Sequence, residues 1–414
     1  GSTTLGHGDT LEAGACHVAL RRPVDRGVAS VATGTVVDDP ASPWRRTLHR
    51  GANAQDARGD GPEIPEIPVP PPERRPPPAT GLVGAGVAVI GGAVMAALLD
   101  QLLMALFGVV GAVAAAGTWG AGWIGCRRAG RADRIGYARA VDEFRDAMLA
   151  LHDERRRIHE DRHVAVSDVL ADLERLHSGP TVIWSRRLHA ADPLVATLGP
   201  GTDRWPVPLD ADDRRRLTSD LDRVVAAAER LDGVSVPLAL EEGSVVALRG
   251  GRHLVEALCR SILVQLAACH GPADCNLAVL TDRPDDWRWV TWLPHGAEGR
   301  VHVVTAGGDR LSTDALVGPP GARLLLGTDT PAALATRTSP VRRLLATSDT
   351  TCLAVVDDGD AAPAACDRVV EVGSTGRIGA AIAVAGITAD TAARAARRLA
   401  ALVDPEASTV GDGL

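Results

Sequence analysis

The chain contains no lysine: all 44 basic residues among its 414 are arginine. A phosphate-binding loop of the G-x-x-x-x-G-K-[ST] type needs a lysine ammonium on the β- and γ-phosphates. No stretch of this chain supplies one, wherever the loop is placed. Arginine without lysine, in an alanine-rich chain, reads as the coding bias of a GC-rich genome and not as a nucleic-acid signature. The net charge of −8 argues against broad duplex binding. Aromatics are scarce at 3%, so the 45% hydrophobic content that builds the core is mostly Ala, Val and Leu. The seven cysteines, at 16, 126, 259, 269, 275, 352 and 366, show no C-x-x-C spacing. Several fall in apolar patterns, as buried free thiols do, which points to a cytosolic bulk.

What is present is segmented. Residues 1–39 carry short β-like pieces, and 40–80 form a Pro-rich linker whose "PEIPEIPVPPPERRPPPATG" run is predicted to be extended. Residues 81–99 and 102–124 then contain no charged side chain, and Asp100 and Gln101 between them suit a tight turn. Each run is long enough to cross about 30 Å of hydrocarbon, so 81–125 is predicted to be a transmembrane helical hairpin. Arg74, Arg75, Arg127, Arg128, Arg131 and Arg134 flank the pair on its outer sides and the turn has none, which predicts cytosolic termini in the inner membrane. Small residues recur every four positions: Gly84, Ala88, Gly92 and Ala96 on the first helix, Gly108, Ala112, Ala116 and Gly120 on the second. Such stripes let helix backbones approach closely in lipid. Residues 126–179 read as a helical stalk, with Tyr137, Val141, Phe144, Met148 and Leu151 in an a/d seam. A connecting segment, 180–243, leads to 244–414. There strand-like and helical runs alternate, which predicts an α/β domain with a largely parallel sheet.

Candidate chemistry concentrates in that last domain. "SVVALRGGRHLVEALCRSIL" (244–263) has the order strand, glycine turn, helix, in which backbone N–H groups and a helix N-terminus cradle phosphate. After Gly250 and Gly251, however, Arg252, His253 and Leu254 stand where lysine and a Mg²⁺-binding hydroxyl belong, so the loop reads as degenerate. Asp329, Asp357 and Asp358 end apolar runs, as the Mg²⁺-organising acid of nucleotide hydrolases does. Without the lysine they read as vestigial. Trp287, Trp289 and Trp292 lie within six residues, as a packing plug or as interface anchors. His159-Glu160-Asp161-Arg162-His163 fits the zinc motif H-E-x-x-H, but crowding arginines make this a chance match in a solvated charge run, and no metal site is expected.

"LVEALCRSILVQLAACHGPADCNLAVLTDRPDDWRWVTWLPH" (254–295) resembles the N-terminal cytosolic region of FtsK/SpoIIIE-type ATPases of type VII secretion, the EccC proteins. "PTVIWSRRLHAADPLVATLGPGTD" (180–203) and "WRRTLHR" (44–50) resemble the segments that the family places around two membrane helices. The likeness covers about 44–405. It implies a membrane pair, a stalk and a degenerate ATPase-like domain, with ATP and Mg²⁺ bound only in an intact ATPase domain expected beyond residue 414. It further implies other membrane components of a secretion complex as partners, homo-oligomerisation in the assembled motor, a protein substrate, and no nucleic acid at this segment. A DNA translocase of the same superfamily and a motor-free membrane scaffold are the alternatives.

Overall fold

The fold was read from a computed structural model, which describes residues 10–13, 16–19, 34–39, 42, 44–51, 64–99, 102–176, 179–181, 183–188, 193–295, 303–305, 322–347 and 350–409. The chain divides into two compact units, one of Gly1–Gly61, Glu154–Trp205 and Arg230–Leu414, the other of Pro62–Asp153 and Pro206–Glu229.

The first unit is α/β, and its centre follows from four apolar runs. Val245–Gly250 (β8), Cys275–Thr281 (β9), Arg323–Thr328 (β11) and Thr351–Asp357 (β12) are buried at almost every position. Strands covered on both faces read as continuous apolar segments because neither side chain direction meets water. With Val303–Thr305 (β10) and Arg368–Val372 (β13) they form a six-stranded sheet in the order β10-β9-β11-β12-β8-β13. All five pairings are parallel. Alternate residues supply two cores, as the two-residue period requires. Val246, Leu248, Leu277, Val279, Leu325, Leu353 and Val355 face one cluster. Val245, Ala278, Leu280, Leu324, Leu326, Cys352 and Ala354 face the other, with Leu334, Val341 and Leu344. The helix Arg252–Cys269 (α6) is buried along most of its length within the first cluster. Helix Ala389–Ala400 joins the same cluster through Ala392, Ala395, Ala396 and Leu399.

A second, four-stranded sheet gathers segments distant in sequence. Gly34–Asp38 (β3) and Arg46–His49 (β4) pair with each other, with Gly179–Thr181 (β5) and with Leu402–Val403 (β16). Residues that precede the apolar helices thus share a sheet with residues that follow them. Arg50 reinforces the join. Its guanidinium is 1% exposed, donates to the carbonyls of Trp184 and Arg186, and pairs with Asp274, Asp404 and Glu406.

The second unit contains two apolar helices. Thr80–Leu99 (α1) and the first part of Leu102–Arg162 (α2) are each long and apolar enough to cross a membrane, and in each the apolar window is only 6% buried. A helix hydrophobic all round that no core covers requires lipid or a partner. The helices lie side by side: a Cβ on Gly108 would come 2.7 Å from the Ala88 carbonyl oxygen and 3.1 Å from Gly92 Cα. The turn expected at Asp100 and Gln101 lies outside the described residues. Residues 64–78 are extended and run back along α2, with Trp119 Nε1 donating to Pro77 O at 3.3 Å and Arg74 paired with Asp133 at 2.6 Å. The stalk seam is graded, with Tyr137 and Val141 half-buried and Phe144, Met148 and Leu151 buried. The long helix stops at Arg162, and a separate helix, Val166–Glu174, continues to Leu176 in the first unit's core. The stretch 126–179 thus holds two helices, and in the second Val166, Val169 and Leu173 gain burial in that core.

Candidate functional site

The glycine turn after β8 lies where a ligand is expected on a parallel sheet, at the carboxyl ends of the strands. Gly250 has φ +156°, and a Cβ there would overlap the Val372 carbonyl oxygen of the adjacent strand. Gly251 caps α6, and Leu254 N–H donates to its carbonyl at 2.8 Å. The strand, turn and helix that the sequence outlines are all present.

An ion-pair cluster stands beside the first turn of that helix. Arg252 Nε donates to Glu256 at 2.8 Å, one helical turn on, and its other nitrogen pairs with Asp329 at 3.6 Å. Asp329, whose side chain is 1% exposed, follows β11, two strands from β8. Its Oδ2 accepts from Trp287 Nε1 at 3.0 Å and from Arg283 at 3.1 Å. Arg283 also donates to Glu256, and Arg260 donates to that carboxylate at 3.1 Å. Three guanidiniums, those of Arg252, Arg260 and Arg283, thus share the carboxylates of Glu256, Asp329 and Asp286, and one indole N–H donates to Asp329. Burial alone would lower the Arg283 pKa. Its hydrogen bonds to Glu256 and Asp329 outweigh that and hold it above the ordinary arginine value.

The geometry bears directly on metal and phosphate. An acid that organises Mg²⁺ must offer free lone pairs to the ion or its water. The inner oxygen of Asp329 is already shared by an indole and two guanidiniums. Arg252 is engaged at Nε by Glu256, and its side chain remains 40% exposed.

The structure joins Arg252 and Asp329 but sets the other acids apart. Asp357 stands opposite Gly250 in the strand register, yet its Oδ1 accepts from the Asp358 N–H at 2.9 Å. Asp358 is exposed, and its carbonyl accepts from Arg249. Among the tryptophans, Trp287 and Trp289 are buried within the domain, 6.4 Å apart between ring centres. Trp292 is 50% exposed, with the Arg397 guanidinium 5.5 Å from its ring. Glu256 and Arg283 were not legible in advance. The only available signal was the i, i+4 spacing of Arg252, Glu256 and Arg260 on one helix face. In the H-E-x-x-H stretch, His159 Nε2 lies 2.9 Å from the Ser235 carbonyl and Glu160 holds Arg156 at 3.1 Å.

Of the small-residue stripes, Gly108 is buried and Gly92, Ala96 and Ala112 are half-buried, whereas Ala88 and Ala116 are exposed. Gly84 and Gly120 face open space. The buried residue of α1 is Ala85, one position off the predicted stripe.

No family model matches the chain. The ESX secretion system protein EccC of Thermomonospora curvata is 29% identical over 140 residues, which is 30% of this chain and 11% of that protein. The ESX-4 secretion system protein EccC4 of Mycobacterium tuberculosis is 31% identical over 136 residues, 30% of this chain and 11% of the relative. The ESX-5 secretion system protein EccC5 of the same organism is 45% identical over 56 residues, 14% of this chain and 4% of the relative. The matches span about a tenth or less of the relatives' own length. The chain is thus homologous, over part of its length, to EccC proteins of type VII secretion systems.

Proposed function

We propose that the chain is a membrane-anchoring and stalk module of a type VII secretion motor component, bearing an ATPase-like domain that has lost its nucleotide chemistry. The observation that carries the loss of chemistry is the sequestration of Asp329 by Trp287, Arg283 and Arg252 at the end of the turn where phosphate and Mg²⁺ would sit. EccC relatives support the motor assignment, and the other membrane components and the protein substrate follow from that kinship. Two apolar, uncovered helices support anchoring. The sheet that joins β3 and β4 to β5 and β16 adds a topological argument: residues on both sides of the helices belong to one folded unit, which requires an even number of crossings. The flanking arginines put that unit in the cytosol.

Calorimetric titration of the full chain in detergent with Mg-ATP is expected to show no micromolar binding. A micromolar isotherm abolished by Arg252→Ala would overturn the inactive reading, since it would require the arginine to leave Glu256 and Asp329 for phosphate.

A further inference from the structure

We propose that the cytosolic ends of the two apolar helices form a binding collar for the phosphodiester headgroups of anionic lipids, held by Arg127, Arg128 and Arg131; the proposal rests on the membrane reading above. The collar begins with two stacked tryptophans, Trp119 and Trp123, whose ring centres are 6.3 Å apart. Amphipathic indoles favour the level where hydrocarbon gives way to headgroups. The level agrees on both helices. Trp119 donates to Pro77 O, so the aromatic pair lies beside the start of α1 at Thr80. From there the 20 residues of α1 rise about 30 Å, one hydrocarbon thickness.

The arginines follow at the right depth. At a rise of about 1.5 Å per residue, Arg127, Arg128 and Arg131 sit roughly 6, 7.5 and 12 Å beyond Trp123. The headgroup layer on each side is about 5–8 Å thick, so the first two lie in it, and the third starts about 4 Å or more beyond it, from where a long arginine side chain can reach back. The Arg127 guanidinium stacks 3.8 Å from the Trp123 ring centre, which fixes a cation at that level and leaves its N–H edge available.

Charge bookkeeping separates these three from their neighbours. The only carboxylate of α2 within this stretch, Asp133, is taken by Arg74 through contacts at 2.6 and 3.4 Å. Arg134 turns back to the Gly130 carbonyl at 3.0 Å. Arg127, Arg128 and Arg131 pair with no carboxylate among the described residues, in a chain where arginines at 145, 157, 175, 215 and 223 each hold a carboxylate three residues away. The docked proline segment adds Arg75 to the same level through the Cys126 thiol, which contacts the Arg75 carbonyl at 3.6 Å. Glu73 is the one further acid beside it. Each arginine near an anionic surface contributes on the order of fivefold in preference for it, so three amount to on the order of a hundredfold.

The full chain is reconstituted in bilayers of phosphatidylcholine with a minority of phosphatidylglycerol, then released, and the lipids it retains are counted by native mass spectrometry. Resistance to alkaline carbonate extraction is read on the same samples. The expected result is retained phosphatidylglycerol well above its bulk share. Substitution R127Q/R128Q/R131Q should return it to the bulk share while extraction resistance persists, and R127K/R128K/R131K should keep most of the enrichment. Equal enrichment in wild type and the glutamine variant, or none in wild type, overturns the collar while leaving the membrane anchor standing. Loss of enrichment when inorganic phosphate is added also overturns it, by assigning the arginines to a free anion. Extraction of the wild-type chain by carbonate would instead sink the membrane reading, and the collar with it.

Discussion

Trp287 shows how one side chain takes on two tasks in a chain poor in aromatics. Its ring is buried and its Nε1 donates to the buried Asp329 carboxylate. Trp287→Phe keeps much of the apolar volume and removes the donor. A hydrogen bond to a charged acceptor is worth about 1.5–3 kcal/mol, so the variant should lose about that much stability in chemical denaturation. An unchanged midpoint would mean that Asp329 does not depend on the indole. His270 offers a test by pH. It is buried, and burial first, then the Arg186 and Arg50 cations and His295, hold its pKa well below the usual histidine value. The unfolded chain therefore binds a proton that the folded one refuses. Stability is full above the unfolded pKa of about 6.5 and falls as pH drops below it. His270→Gln should flatten that loss between about pH 7.5 and 5.5, and an identical slope in the variant would remove His270 from the account. The buried cysteines are chemically quiet: burial pushes the Cys275 thiol up to about 12, far from thiolate formation near neutrality.

Among the elements, the paired apolar helices give the sharpest contrast. Four-residue periodicity marks Gly84, Gly108 and Gly120 alike, but the structure does not treat them alike. Gly108 faces the Ala88 and Gly92 backbone, whereas Gly84 and Gly120 meet nothing within 4 Å. Gly108→Leu should therefore separate the helices and raise the rate of proteolysis between them in micelles several-fold, while Gly120→Leu should behave as wild type. Equal behaviour of the two variants would mean that this close approach does not hold the pair. The stalk repeats the lesson. Its a/d seam was legible as far as Leu151, but the stop at Arg162 was not, because the helix that follows packs on helices Arg252–Cys269 and Ala389–Ala400, far downstream in sequence.

At the scale of the whole molecule, topology is the testable matter. Both flanks of the apolar helices belong to a single sheet-containing unit, so residue 132 and residue 100 should lie on opposite sides of the membrane. In a cysteine-free background, an impermeant thiol reagent applied to intact cells should label Asp100→Cys and spare Ala132→Cys. The reverse pattern would invert the orientation and place the α/β domain outside. The order of the parallel sheet is also a whole-molecule property. It sets β12 between β8 and β11, and so brings Asp329 within reach of an arginine 77 positions earlier.

Composition and pattern alone determined that no lysine grips phosphate here, that two uncharged runs are long enough for a bilayer, and that the last domain is built on buried strands. Those conclusions need only the chemistry of single residues and the local periods of helix and strand. Tertiary structure decided the rest. It made Glu256 and Arg283 members of the site, turned Trp287 inward and left Trp292 outside, and placed residues 34–38 and 46–49 in a sheet with residues 179–181 and 402–403. Each outcome is set by which distant segments become neighbours. A buried charge is tolerable only where the fold brings it a partner, and no local pattern in the chain encodes that meeting.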